Sequence, residues 1–166
     1  MPRRVVFVLL AFPLLLAVTC CNANPNKTIP IKAAIVYERE GVKPVARTKF
    51  YLLREDLTRV AQSRGEDVGM FFTREPDTRP NSLYGVYRPV GIDEEKIRDF
   101  VVASVTTDFE GNAKFEDVPP GTYYIFGLAV TQSKSGYSFW NINIEAGQEI
   151  ETVFLDQNNA YKAPSR

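Results

Sequence analysis

The side chains best suited to chemistry are scarce in this chain. It has no histidine, and its two cysteines, Cys20 and Cys21, adjoin each other near the N-terminus. Beyond them no thiol or imidazole is present to serve as nucleophile, base or soft metal ligand, and no disulfide can form. Ser133-Lys134-Ser135 offers a Ser–Lys pair, but the run reads as a turn between strands. Carboxylate pairs are plentiful: Glu38 with Glu40, Asp93 to Glu95, Glu149 with Glu151. Each falls on a polar strand face or in the first turn of a helix, where solvated charge is the expectation. Asp108-Phe109-Glu110-Gly111-Asn112 has residue types of a calcium loop. It lacks the Asp-x-Asp-x-Asn ligand run and the closing glutamate, so a hairpin turn is expected. No glycine-rich phosphate motif occurs. The residues therefore predict neither an enzyme nor a metal or cofactor site.

Recognition is a better match to what the chain carries. Residues 55–102 break the strand pattern of the rest. Glu66 to Ile92 is a long stretch with three prolines, and it contains Phe71, Phe72, Tyr84 and Tyr87 together with Arg74, Arg79 and Arg88. These seven side chains are the candidate ligand or partner surface, of a kind that suits a glycan or a peptide. The competing expectation is an insertion that packs on the open face of a sheet. Lysine plus arginine number 20 and aspartate plus glutamate 20, so charge gives no reason to expect nucleic acid or an anionic membrane surface.

The elements that would position these residues follow in order. Residues 1–23 read as an export signal: Arg3 and Arg4, then an apolar run from Val5 to Val18 that is short for a membrane span. Two processing routes stay open. Acylation of Cys20 or Cys21 at an imperfect lipobox would anchor the chain to a membrane, in the periplasm or at the cell surface; cleavage after Ala23 would release it. Asn26-Lys27-Thr28 is a glycosylation sequon. Residues 24–30 read as a tether, 31–157 as the domain and 158–166 as a polar tail. Strands are predicted over 31–38 and 45–53, then at 103–107, 113–118, from Tyr123, at 136–144 and at 149–156. The second ends apolar on both faces, with Phe50 and Leu52 on one and Tyr51 and Leu53 on the other, so its outer face should be covered. Helices are predicted from Asp56 to Gly65 and from Asp93 to Val101. The sum is a mainly β, seven-stranded antiparallel sandwich with a helical insertion, 55–102, after the second strand.

One stretch permits a comparison. Thr107-Asp108, Gly111, Phe115, Val118-Pro119-Pro120-Gly121, Tyr123 and Ile125 resemble the TD-x-x-G-x-x-x-F-x-x-V-P-P-G-x-Y-x-I signature of carboxypeptidase regulatory-like domains and collagen-adhesin B-type repeats. Gly41, Pro44-Val45-Ala46 and Phe50 to Leu52 resemble the opening of the same pattern, with Arg47 where a small glycine is usual. Ala146-Gly147-Gln148 resembles its last turn. The resemblance implies a transthyretin-like (Ig-like) sandwich and a stalk, adhesin or accessory role. Some adhesin repeats of this kind carry a Lys–Asn crosslink promoted by a buried acid. Here the lysine position holds Ile35 and the acid would fall near Gly127, so no crosslink is expected. The functional expectation is a non-catalytic, exported envelope protein, structural or binding in role. The alternatives are a carbohydrate- or peptide-binding protein using the aromatic insertion, and an accessory subunit of an envelope or transport complex.

Overall fold

The structure is a computed structural model, and it describes residues 26–37, 41–76, 87–130, 137–147 and 151–161. The leader with Cys20 and Cys21, the carboxylates Glu38, Glu40 and Glu149, the Ser133–Ser135 run, and Arg79 and Tyr84 lie outside the described residues.

The protein is mainly β, with several antiparallel pairings. The strands are β1 (Lys27–Tyr37), β2 (Gly41–Pro44), β3 (Lys49–Leu53), β4 (Phe72–Pro76), β5 (Tyr87–Ile92), β6 (Val101–Thr106), β7 (Asn112–Val118), β8 (Gly121–Val130), β9 (Tyr137–Ala146) and β10 (Val153–Leu155). In the first sheet β1 pairs with β2, β7 and β10; the second has the order β6-β3-β8-β9; β4 and β5 form a separate hairpin. The β1–β10 pairing is parallel, which departs from the all-antiparallel expectation.

Period-2 alternation sorts the side chains into two cores. Ile29, Ile31, Ala33 and Ile35 of β1 meet Phe50, Leu52, Ile125 and Trp140 of the second sheet in the first core. The opposite face of the second sheet presents Tyr51, Leu53, Phe126, Leu128 and Phe139 to a second core. What covers that face is the segment between β3 and β6: helix α1 (Leu57–Ser63), a 3-10 turn (Val68–Phe71), the β4–β5 hairpin and helix α2 (Glu94–Ile97). A cover over Tyr51 and Leu53 is what the doubly apolar end of β3 requires. Its make-up differs from the helical expectation: α2 is a single turn that continues as a 3-10 turn (Arg98–Phe100), and two strands lie between the helices.

Three boundaries also move. β1 begins at Lys27, inside the stretch read as a tether, because Ile29 is buried opposite Phe115. Pro30 is accommodated next to a register irregularity between Lys27 and Ile29. The run 45–53 is not one strand: the backbone hydrogen bond from Val45 N to Ala33 O keeps it with the first sheet, and by Lys49 it has joined the second. The Asp108–Asn112 turn is not a hairpin, because β6 belongs to the second sheet and β7 to the first.

Two crossovers therefore run side by side, and Thr107 joins them. Its buried hydroxyl donates to Val45 O at 2.6 Å and accepts from Thr48 N at 3.0 Å. Its backbone N–H donates to Thr48 O, and its carbonyl accepts from Arg47 N. Thr107→Val keeps the shape but leaves a carbonyl and an amide unpartnered. We expect a loss of about 2 kcal/mol in the unfolding free energy, read from urea denaturation. A change below about 0.5 kcal/mol would show that water replaces the hydroxyl at no cost.

Candidate functional site

A cleft of about 750 Å³ lies where the end of α1, the first 3-10 turn, β4 and α2 converge. Gly65, with φ +73, ends α1. Asp67 then caps the 3-10 turn by accepting from Gly69 N at 2.7 Å. Arg74 reaches back from β4: its Nε donates to Gly69 O at 3.1 Å and its Nη2 lies 3.4 Å from Asp67 Oδ1. Lys96 of α2 donates to Met70 O at 2.9 Å and pairs with Asp93 at 3.3 Å. Both cations line the cleft with Glu66 and Asp67, and Met70 and Phe72 supply apolar wall. Neither cation has exhausted its donors. The arrangement can hold a polar ligand that brings carboxylate or hydroxyl acceptors to Arg74 and Lys96 and a donor to Glu66.

Of the seven residues proposed as one surface, the structure describes the side chains of Phe71, Phe72 and Arg74. Phe71 is fully buried and Phe72 is 7 % exposed. Phe72 stacks on Phe126 with centroids 5.8 Å apart, and Phe71 meets Phe100 edge-on at 6.4 Å. They are core residues of the covering layer and cannot form a stacking platform. Arg74 is exposed at the cleft. Tyr87 and Arg88 lie on the backbone of β5, paired with Pro76 and Glu75. Asp67 and Lys96, which sequence reasoning passed over, are the residues the fold brings to Arg74. The available signal was local: aspartate two residues before a glycine marks an Asx turn.

The carboxylates near this layer are tied into structure. Glu94 accepts from Lys49 Nζ at 2.8 Å and from Tyr51 OH at 2.6 Å, linking α2 to β3. The Lys49 hydrogen bond first, and Tyr51 second, hold Glu94 below its ordinary range. Burial, reinforced by Glu94, raises Tyr51 so far that it remains a neutral phenol. Asp93, at the start of the second predicted helix, makes no side-chain cap. Asp56 does cap α1, accepting from Thr58 N at 2.9 Å and Arg59 N at 3.3 Å, and also from the Thr58 hydroxyl. It further binds Asn141 Nδ2 at 2.7 Å, a link from the insertion to β9. Burial works to raise the Asp56 carboxyl. The hydrogen bonds from the Thr58 hydroxyl, Asn141 and the two amides outweigh it and leave the group below its ordinary value.

The sign of that shift fixes a pH dependence. A carboxyl lowered in the folded state contributes stability above its unfolded pKa and loses it as pH falls through the folded pKa. Asp56→Ala is expected to cost about 2 kcal/mol at neutral pH. The gap from wild type should narrow in acid below about pH 4. Urea midpoints at both pH values measure this, and a gap that is unchanged or wider in acid would contradict it.

No protein family profile and no curated protein matches the chain. Among solved structures it is similar to a "putative carbohydrate binding protein" from Pseudomonas aeruginosa, at 17% identity and a TM-score of 0.48, over 80% of this chain and 89% of that one. It is also similar to the major pilin subunit of Bacillus cereus, at 14% identity and a TM-score of 0.34, over 81% of this chain but only 30% of the pilin. Neither likeness is close enough to decide a function.

Proposed function

We propose that this chain is an exported, non-catalytic module of the carboxypeptidase regulatory-like type, with a transthyretin-like sandwich that serves the cell envelope in a structural or binding role. The observation that carries the reading is the use made of the signature residues. Thr107 binds the two crossovers together, Asp108 accepts from Glu110 N and Asn112 N at 2.8 Å each, and Phe115, Val118 and Ile125 are buried in the first core. The motif builds a scaffold, and the carboxylates Asp56, Glu94 and Asp108 are occupied as structural acceptors.

The test is the intact mass of the mature chain isolated from its host. A diacyl or triacyl adduct on Cys20 or Cys21 in the membrane fraction, or a start at Asn24 in a soluble exported fraction, supports the reading. An unprocessed cytosolic chain that retains Met1 overturns it.

A second reading, binding of a peptide or glycan, is favoured by one observation: Arg74 and Lys96 are held at the cleft by main-chain carbonyls and have donors to offer. With Phe71 and Phe72 buried, polar contacts at the cleft take the place of aromatic stacking. Binding on peptide and glycan arrays that is lost in Arg74→Ala with Lys96→Ala would establish it. Binding that survives both would remove the cleft from consideration.

A further inference from the structure

The cleft holds charges of both signs, and that limits what can fill it. Arg74 is seated on Gly69. Its Nε donates to the Gly69 carbonyl at 3.1 Å, and a Cβ on Gly69 would stand 1.9 Å from Nη2 and 2.5 Å from Asp67 Oδ1. The guanidinium therefore lies where a side chain at residue 69 would be, and the missing Cβ admits it. Gly69 O uses the Nε side of the fork, which leaves the Nη1–Nη2 end as the one that can take a carboxylate through two bonds. Lys96 is held by Met70 O and Asp93.

The acids divide in the same way. Asp67 serves Gly69 N and Arg74, and Asp93 serves Lys96. The carboxylate that the cleft offers a ligand is that of the exposed Glu66, whose backbone N–H is tied to Ala61 O at 3.0 Å. Met70 supplies most of the apolar wall, and a thioether adapts to side chains of varied shape.

We propose that the cleft takes a short peptide by its free ends, the C-terminal carboxylate on Arg74 and Lys96 and the terminal ammonium toward Glu66, with Gly69 as the residue that positions Arg74. The inference rests on the reading of this cleft as a binding site and narrows it to one class of ligand. A neutral glycan brings no charge to either end, and Phe71 and Phe72 are too deeply buried to give its rings an aromatic face. An acidic glycan answers the cations and leaves Glu66 without one. A zwitterion with apolar side chains answers both signs of charge and the wall, and about 750 Å³ is in the range of small-ligand sites.

Isothermal titration calorimetry on the full chain with the tripeptide Ala-Leu-Ala tests this. Amidating its C-terminus should weaken binding about tenfold, and acetylating its N-terminus about threefold, since Glu66 is exposed. Glu66→Gln should weaken the free tripeptide about threefold and leave the acetylated one unchanged, which pairs that end with that residue. Gly69 has no positive φ, and Gly69→Ala keeps every charge, so its urea midpoint should stay near that of wild type. By pushing the guanidinium off its seat it should still weaken the free tripeptide about tenfold. The proposal fails if the free tripeptide gives no binding up to about 10 mM, if the amidated and free forms bind alike, or if Gly69→Ala binds as wild type does. Failure of the broader reading looks different. A glycan or end-blocked peptide whose array binding is lost in Arg74→Ala with Lys96→Ala would keep the cleft as a site while removing the free-ended peptide from it.

Discussion

Gly127→Ala is expected to destabilise the protein by about 3 kcal/mol, although it adds one methyl group. Gly127 sits in β8 between Phe50 on one neighbouring strand and Trp140 on the other. A Cβ at this position would stand 2.2 Å from Phe50 Cδ1 and 2.3 Å from Cε1. Those distances are far inside van der Waals contact, so the ring must move. It has little room: Phe50 is fully buried, its centroid is 5.7 Å from that of Trp140, and the Trp140 indole is fixed by its bond to Asp156 O. Interiors packed at crystal-like density transmit such a displacement to their neighbours. Urea denaturation measures the loss, and Phe50→Leu supplies the control. The smaller side chain removes the clash, so the double variant should be more stable than the sum of the single effects predicts, by at least about 1 kcal/mol. Additive effects would mean that ring and methyl do not compete for the same space.

The same geometry bears on the crosslink found in some repeats that the sequence resembles. The space an acid would need at residue 127 is filled by the Phe50 ring. The residue at the lysine position, Ile35, is a buried member of the first core, and Lys32 is exposed on the other face of β1.

Much of this core was legible because period 2 leaves no freedom. Once Phe50 and Leu52 face one way, Tyr51 and Leu53 must face the other, and two apolar faces demand two covers. The alternations in β8 and β9 assign Ile125 and Trp140 to one core and Phe126 and Phe139 to the other on the same ground. The crossovers were not legible. Val45-Ala46-Arg47-Thr48 contains good strand formers and no glycine or proline, yet Arg47 takes φ +51, a conformation L-residues seldom adopt. Its guanidinium lies 4.5 Å from the centroid of the Phe109 ring, a contact between the two crossovers that no local pattern announces. The burial of Phe71 and Phe72 was not legible for a related reason. Composition shows that Phe71, Phe72 and Arg74 are near one another in sequence, but it does not say which face the core. Strand β4 and the turn before it send the two phenylalanines inward and leave Arg74 to meet Asp67 and Lys96 at the cleft.

Gly111→Ala should also cost about 3 kcal/mol, through a different mechanism with its own control. Gly111 closes the Asp108–Asn112 turn at φ +81, where a side chain is strained wherever it points. Its carbonyl accepts from Ala33 N at 2.8 Å, and Ala33 O accepts from Val45 N at 2.9 Å. The turn is thereby wedged into β1 between the stretch paired with β7 and the stretch paired with β2. A Cβ on Gly111 would lie 2.3 Å from Ala33 O, a main-chain atom that cannot rotate away. Relieving the contact means giving up one or both hydrogen bonds that join β1 to the two crossovers. Gly65 separates the two contributions. It has φ +73 but nothing within 4 Å of its Cβ position, so Gly65→Ala should show the conformational cost alone, about 1 kcal/mol. The difference between the two variants measures the wedge. If Gly111→Ala costs no more than Gly65→Ala, the turn can withdraw from β1 freely and does not lock the sheets together. A larger loss would identify the glycine of the T-D-x-x-G run as the point at which the two sheets are held in register.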